Sequence, residues 1–153
     1  MGQTAIGAKL VSEFDREMAK TRKILECVPD EKLEWRPHER SSTLGKLANH
    51  LAAMPILAAA VVNGTAKRSH DAASNSALLK AFEHNISAGR EALAAASDEH
   101  LSETVPQLNM TREDVLRERM MSHMIHHRGQ ITVYLRLINV AVPGMYGPSA
   151  DEK

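Results

Sequence analysis

The chain has 153 residues, of which 43% are hydrophobic and 25% charged, and these values are typical of one soluble globular domain with a single core. Its 19 basic and 19 acidic residues cancel, so charge gives no reason to expect nucleic acid or an anionic membrane as a partner. The single cysteine, Cys27, excludes an internal disulfide and a multi-cysteine metal site, and we expect it to be a small buried hydrophobe in a helix.

The apolar segments predict a protein that does not span a membrane. The longest apolar run, Leu51–Val62, has twelve residues, whereas a bilayer-spanning helix needs about 20. Residues 1–10 lack the basic stretch followed by an apolar stretch that is typical of a secretory signal. We therefore expect a cytoplasmic protein with no membrane partner.

The first predicted element is a long helix. Aromatic residues make up only 3% of the chain, and no period-two run of β-branched residues is present, which favours helices over strands. Apolar residues at intervals of three and four predict a helix from about Ala5 to Cys27, and Val28-Pro29-Asp30 should end it.

A second helix should begin at Ser42 or Thr43, because either side chain can cap an amino terminus. Pro55 should kink it, and Asn63-Gly64 should end it. One apolar stripe along this helix contains His50 at its middle.

Two further helices are predicted in the second half of the chain. The third runs from about Ser76 to Ala96, and the fourth from a cap at Thr111 to about Val140. The spacing of apolar residues gives the fourth helix an inner stripe of Leu116, Met120, His123, His127, Tyr134 and Leu137 or Ile138.

Four amphipathic helices with polar connections predict an all-α fold, a four-helix bundle in which two connections are long enough for a crossover. We treat residues 1–153 as a single domain. The Gly- and Pro-rich end, from about residue 147, is predicted to be a short flexible tail.

Three histidines are the main candidates for a functional site. His123 and His127 lie four residues apart, so both occupy one face of the fourth helix, about one turn apart along its axis. His50 lies in the apolar stripe of the second helix. Unpaired buried imidazoles are costly, and two hydrogen-bonded core histidines would be the ordinary explanation for the pair alone. Three inward histidines favour a metal site.

The other histidines are weaker candidates. His126 lies three residues after His123 and could replace His127 as a ligand, but it falls outside the apolar stripe, so we favour His127. The remaining ones lie in connections or polar stretches, where we expect exposure to solvent: His38, His70, His84 and His100.

Three histidine ligands restrict the chemistry of the site. Neutral nitrogen ligands suit zinc, nickel or ferrous iron, with zinc or nickel favoured. Three protein ligands also leave positions for water or substrate. Such an ion can activate a bound water or a thiolate. The zincin motif His-Glu-x-x-His and the Glu-x-x-His pairs of di-iron bundles are absent, because Leu47, Met120 and Met124 stand three residues before the candidate ligands.

Several segments together resemble the DinB-like (DNA-damage-inducible) metal-binding family of the YfiT/DinB superfamily. The most specific is His123-Met124-Ile125-His126-His127-Arg128-Gly129-Gln130. Others are Leu44–Leu51 and Trp35-Arg36-Pro37, and the likeness extends from about residue 10 to residue 150. The resemblance implies a four-helix bundle, a three-histidine site at His50, His123 and His127, and a homodimer.

The resemblance also implies a range of functions. Family members include transferases and isomerases that use a low-molecular-weight bacterial thiol, an electrophilic substrate and a divalent metal. A non-catalytic metal-binding or stress-associated protein is the alternative, and a metal-dependent hydrolase is the third possibility. Hydrolysis needs a general base, and no Asp or Glu stands one turn from a ligand.

Four residues near the candidate histidines each have a role that the sequence suggests but does not decide. We favour a solvated or structural role for Arg128 over binding of an anionic substrate. Gly129 in a helix favours close approach of another helix, in the bundle or across a dimer. Gln130 is positioned to contact a ligand histidine, and Tyr134 lines the same cavity or belongs to the core.

Overall fold

The computed structural model describes residues 5–65 and 71–152. Within these ranges the protein is an all-α bundle around one apolar core, which confirms the predicted fold class. Four long helical stretches build it, and the second and fourth are each composed of shorter segments. Their bounds are α1 Ala5–Glu26, α2 Leu44–Ala53, α3 Leu57–Asn63, α4 Asn75–Ala95, α5 Asp98–Ser102, α6 Arg112–Val115, the π-helical segment Leu116–Ser122 and α7 His123–Leu137.

The helices run in two directions. α1 and α4 are antiparallel, because Asp15 pairs with Arg90 while Arg22 pairs with Glu83. α2 and α4 are parallel, since Asn85 Nδ2 donates to the carbonyl of Ala52 at 3.0 Å and Gly89 lies against Pro55, further along both helices. The connection from α3 to α4 therefore joins parallel neighbours, and part of it lies outside the described ranges.

The second helical stretch follows the predicted pattern. Thr43 Oγ1 accepts a hydrogen bond from Lys46 N at 3.2 Å and caps the start of α2. Pro55 lies in a 3-10 turn, Met54–Ile56, that separates α2 from α3. Gly64 ends α3 with a φ of 73°, a left-handed conformation that costs glycine little.

The stretch Leu44–Asn63 is long and apolar enough to cross a membrane by length and composition alone. However, 56% of its most apolar 18-residue segment is buried inside the bundle, among the core residues of α1 and α4. Its apolar character is thus explained by the packing of a core helix.

The fourth helical stretch differs from the prediction in its register. Residues Leu116–Ser122 form π turns, which hold more residues per turn than an α-helix. The buried positions consequently continue from Met120 to Met124, Arg128, Ile131 and Leu135. The predicted inner stripe through His123, His127 and Leu137 was wrong: both histidines lie at the surface or half-buried, and Leu137 is 57% exposed.

The chain termini and connections contain features that the sequence analysis missed. Two small elements precede α6: the short helix α5, and an antiparallel hairpin whose strands β1 (Thr104–Val105) and β2 (Met110–Thr111) have two residues each. The Asp98 carboxylate accepts hydrogen bonds from the first backbone N–H groups of α1, those of Ala5, Ile6 and Gly7. This contact caps α1 from a segment more than 90 residues away.

The carboxyl-terminal segment folds back on α7. α7 ends at Leu137, three residues before the predicted end, and Asn139 has a φ of 60°. Asp151 forms an ion pair with Arg136 and accepts a hydrogen bond from Val142 N, and together these contacts hold the pKa of Asp151 at about 2. The segment ends in a 3-10 turn, Ala150–Glu152.

Cys27 lies just after α1 and is half-buried, so it is less buried than predicted. Burial raises the pKa of its thiol, and the neighbouring charge of Glu26 raises it further. This environment does not favour a reactive thiolate.

We predict that Gly89→Ala destabilises the protein. An added Cβ at position 89 would lie 2.4 Å from the Pro55 carbonyl oxygen, which is backbone and cannot move aside. We expect a loss of about 1–3 kcal/mol in the free energy of unfolding, measured by chemical denaturation. Gly129→Ala is the matched control, because no atom lies within 4 Å of its added Cβ; helix propensity should stabilise it by up to about 1 kcal/mol. Equal effects at the two positions would contradict the explanation.

Candidate metal centre

Three histidines from two helices meet at the surface of the bundle. The ligand nitrogens of His50, His123 and His127 all lie within 4.8 Å of one another. Their ring centroids are separated by 4.5–5.2 Å. His50 and His123 are exposed and His127 is half-buried. The three histidines thus come together as predicted, but at the edge of the bundle instead of in its interior.

The antiparallel packing of α2 and α7 brings these side chains together. His50 contacts His127, and two turns further along α7 the Tyr134 hydroxyl donates to the Ser42 carbonyl at 3.2 Å. The two contacts fix the alignment of the helices at two separate points. His50 therefore faces the His123–His127 pair across the helix interface.

A hydrogen bond to Gln130 determines the tautomer of neutral His127. Gln130 Oε1 can only accept, so His127 Nδ1 carries the proton of their 2.6 Å hydrogen bond. In the neutral ring, His127 Nε2 then has a lone pair. It lies 2.7 Å from His123 Nε2. His127 Nε2 is consequently directed into the space between the three rings, as a metal ligand must be.

The electrostatic environment favours neutral His127. Burial lowers the pKa of its imidazole; the hydrogen bond to Gln130 opposes this effect, and the nearby His123 and His126 lower the pKa further. The net pKa lies below the ordinary value of 6.5. Neutral imidazole is the form that binds a metal ion.

The cluster fits a small divalent cation. Zinc–nitrogen bonds of about 2.0–2.1 Å place two ligand nitrogens at most about 4.2 Å apart. The observed spacing of up to 4.8 Å is within reach of small side-chain rotations. Among the described residues the group contains nitrogen donors only, a set suited to zinc, nickel or ferrous iron.

The other histidines lie outside the cluster where they are described. His126 is exposed, with its ring 5.0 Å from that of His127, and does not belong to the ligand group. His38 and His84 are exposed, as predicted. His100 differs from the prediction: it is half-buried and its Nε2 lies 2.8 Å from the carbonyl oxygen of Val62. His70 lies outside the described residues.

Arg128, directly after His127, has a structural role. Its side chain is among the most deeply buried in the protein, at 1% exposure. It donates to the Glu17 carboxylate (2.6 Å), the Glu17 carbonyl (3.1 Å), Thr21 Oγ1 (3.1 Å) and the Tyr146 hydroxyl (2.6 Å). These acceptors leave no free face for an anionic substrate. The sequence favours a solvated or structural role, and the structural alternative is the one that the structure supports.

Three other residues of α7 had predicted roles near the histidines. Gln130 contacts a candidate ligand, as predicted. Tyr134 is half-buried and packs edge-to-face on Trp35, with 5.7 Å between ring centroids. Gly129 is exposed, and a Cβ added to it would meet no atom of another element within 4 Å, so no helix of the described bundle approaches it. That part of the prediction was wrong.

Comparison with known proteins gives a consistent result. A family model described as "DinB family" matches residues 1–153. The uncharacterized protein YrdA of Bacillus subtilis (strain 168) is 27% identical over 148 residues, which cover 93% of this chain and 89% of the relative.

Two solved structures have the same fold. A DinB-like protein from Bacillus cereus ATCC 10987 superposes with a TM-score of 0.74 at 25% identity, over 95% of this chain and 100% of the other. The DinB-like protein YjoA from Bacillus subtilis gives a TM-score of 0.74 at 19% identity, over 92% and 99% of the chains. The latter supports the fold alone.

We predict that the ionisation of the Glu17 carboxyl makes the free energy of unfolding depend on pH. Burial raises the pKa of its carboxyl, but hydrogen bonds from Lys20, Tyr146 and Arg128 together with the Arg128 charge hold it below the ordinary value of 4.5. A lowered pKa contributes stability above pH 4.5 that is lost as the pH falls through the folded-state pKa. The free energy of unfolding should therefore decrease below about pH 5, and less steeply in Glu17→Gln.

Denaturation of both proteins between pH 7 and pH 3 measures this effect. At pH 7, Glu17→Gln should be destabilised by about 3–5 kcal/mol, because Arg128 stays buried without its counter-charge. Asp15→Asn, which removes an exposed ion pair on the same helix, should cost less than about 1 kcal/mol. Parallel acid profiles for wild type and Glu17→Gln would contradict the assignment.

Proposed function

The chain belongs to the DinB family, and from this membership and its three-histidine cluster we propose that it binds one divalent metal ion through His50, His123 and His127. The convergence of the three ligand nitrogens is the observation that carries the proposal. Zinc or nickel is favoured over ferrous iron, because non-haem ferrous sites commonly include a carboxylate ligand and the described group offers only imidazole nitrogens.

The surroundings of the site favour access from solvent. His50 and His123 are exposed, so a small molecule can reach the space between the rings. The hollow beside His50, lined by Ala53, Met54 and Leu57, has a volume of about 30 Å³ and admits little more than a water molecule. A substrate would therefore approach from the open side.

For the reaction, we propose thiol transfer or thiol-dependent isomerisation with a low-molecular-weight thiol, in the cytoplasm. A divalent ion at the site would act as a Lewis acid that favours the thiolate form of a bound thiol. The thiol proton goes to solvent, the sulfur bonds to an electrophilic carbon, and that carbon releases its leaving group with the bonding electron pair. Gln130 would keep His127 in the tautomer that presents Nε2.

A non-catalytic metal-binding protein is the second candidate. It is supported by the shallow setting of the histidines and the absence of an enclosed cavity of substrate size beside His50 in the described structure. Metal-dependent hydrolysis is less favoured, since no carboxylate belongs to the described ligand group and could act as a general base.

A homodimer is also part of the proposal. Val133 and Leu137, each 57% exposed, lie one turn apart on α7, and Gly129 lies one turn before them with open space around it. A second copy of the chain could cover this apolar face at close range.

We predict that removing a ligand abolishes metal binding. His50→Ala and His123→Ala should each weaken the affinity for Zn²⁺ or Ni²⁺ by at least about 100-fold, because two imidazoles bind far less tightly than three. The measurement is isothermal titration of untagged protein, with elemental analysis of the purified protein. His126→Ala and His84→Ala are the controls and should keep wild-type stoichiometry. Full binding by His50→Ala would contradict the three-ligand site.

We predict that the metal-loaded protein conjugates a low-molecular-weight thiol to an electrophilic substrate, and that His50→Ala does not. Loss of free thiol and formation of the conjugate are followed by mass spectrometry. Tight metal binding without turnover across a panel of thiols and electrophiles would favour the non-catalytic candidate. Undiminished turnover by His50→Ala would exclude a metal-dependent reaction at this site.

A further inference from the structure

The buried ion pair of Arg128 and Glu17 lies next to the histidine cluster but points away from it. Arg128 follows His127 directly in α7, and successive helical residues are about 100° apart around the axis. One side chain therefore reaches α1 in the interior while its neighbour stands at the surface beside His50. Any rotation of α7 that moves one must move the other.

The register of the helix that carries His123 and His127 depends on the segment before it. Seven residues of π-helix, Leu116–Ser122, come directly before His123. Were this segment α-helical, Leu116, Met120, His123 and His127 would form one stripe, because these spacings match the α period. The π turns instead place Met124 and Arg128 inside and the histidines outside. Apolar packing is consistent with this register, since Met124, Ile131 and Leu135 are each 0% exposed.

The charged network also favours the observed register. Arg128 makes four hydrogen bonds to Glu17, Thr21 and Tyr146, and the Tyr146 hydroxyl in turn donates to Glu17 Oε2 at 2.7 Å. In the α-helical register Arg128 would leave α1, and the 7% exposed Glu17 would keep only its ion pair with Lys20. A buried polar group that specifies register at little gain in stability is a known use of such pairs.

We propose that the Arg128–Glu17 ion pair, with Tyr146, sets the register of the fourth helical stretch and thereby turns His123 and His127 toward His50. Arg128 is a positioning residue: it acts through the backbone of α7 and does not contact the cluster. The consequence for metal binding rests on the proposed function, whereas the effect on register does not.

The test replaces the ion pair by apolar side chains of similar volume, Glu17→Met with Arg128→Met. Such exchanges are often neutral or stabilising, and Thr21 Oγ1 still donates to the Glu17 carbonyl at 2.9 Å, so the double variant should fold. Register is read from the thiol reactivity of Met124→Cys in a Cys27→Ala background. Met124 is fully buried, so its cysteine should be unreactive with Arg128 present and label at least about tenfold faster in the double variant.

Metal affinity is the second measurement, with Co²⁺ alone as the probe. The double variant should bind Co²⁺ about 10–100-fold more weakly and with an altered visible spectrum, as expected when supporting residues of a metal site are lost. The control is Asp15→Asn with Arg90→Gln, which removes an exposed ion pair between α1 and α4 and should change neither readout.

The outcomes separate the two proposals. If wild-type protein binds no Co²⁺ or Zn²⁺, the proposed function fails, and the labelling experiment still decides the question of register. Unchanged labelling in a folded double variant overturns the positioning role, whatever the metal affinity. If the double variant does not fold, the variant Arg128→Lys provides the test. Lysine keeps the positive charge but cannot donate to the four acceptors of Arg128. Wild-type labelling together with wild-type Co²⁺ affinity in this variant would overturn the proposal.

Discussion

The arrangement of the candidate site depends on the π turns at Leu116–Ser122. Because π turns hold more residues per turn, the inward-facing positions that follow them shift along the sequence. Met124 and Arg128 therefore lie on the inner face of α7, and the histidines face outward. An ordinary α-helix would place both imidazoles on the same stripe as Leu116 and Met120. The π turns therefore convert what would be core histidines into a group that solvent and small molecules can reach.

The buried Arg128 side chain connects α7 to two other parts of the protein. Its guanidinium links α7 to α1 through Glu17 and to the carboxyl-terminal segment through Tyr146. Lys20 adds a cation–π contact 4.1 Å from the centre of the Tyr146 ring and an ion pair with Glu17. A tail rich in glycine and proline is thus tied to the bundle by charge and aromatic contacts instead of by a helix.

Metal binding and reaction are separate questions for this fold. The cluster supplies three nitrogen donors, a tautomer fixed by Gln130 and an open side. It supplies no carboxylate within the described ligand group, so acid–base chemistry would have to come from the bound ion or the substrate. The proposed reaction of a thiol would not need such a carboxylate, because a bound ion would favour the thiolate.

The sequence by itself determined the all-α class, the cap at Thr111, the break at Pro55 and the three histidines as a group, and it limited the cap of α2 to Ser42 or Thr43. These features depend on local spacing and on backbone chemistry, which the order of residues contains directly. The family resemblance, confirmed by the match over residues 1–153, depended on the same local motif. Only the tertiary structure decided which way the histidines face and why Arg128 is buried. Both result from π turns, and from a partner, Glu17, that is 111 residues distant in the chain. No pattern read at the α-helical period can contain that information.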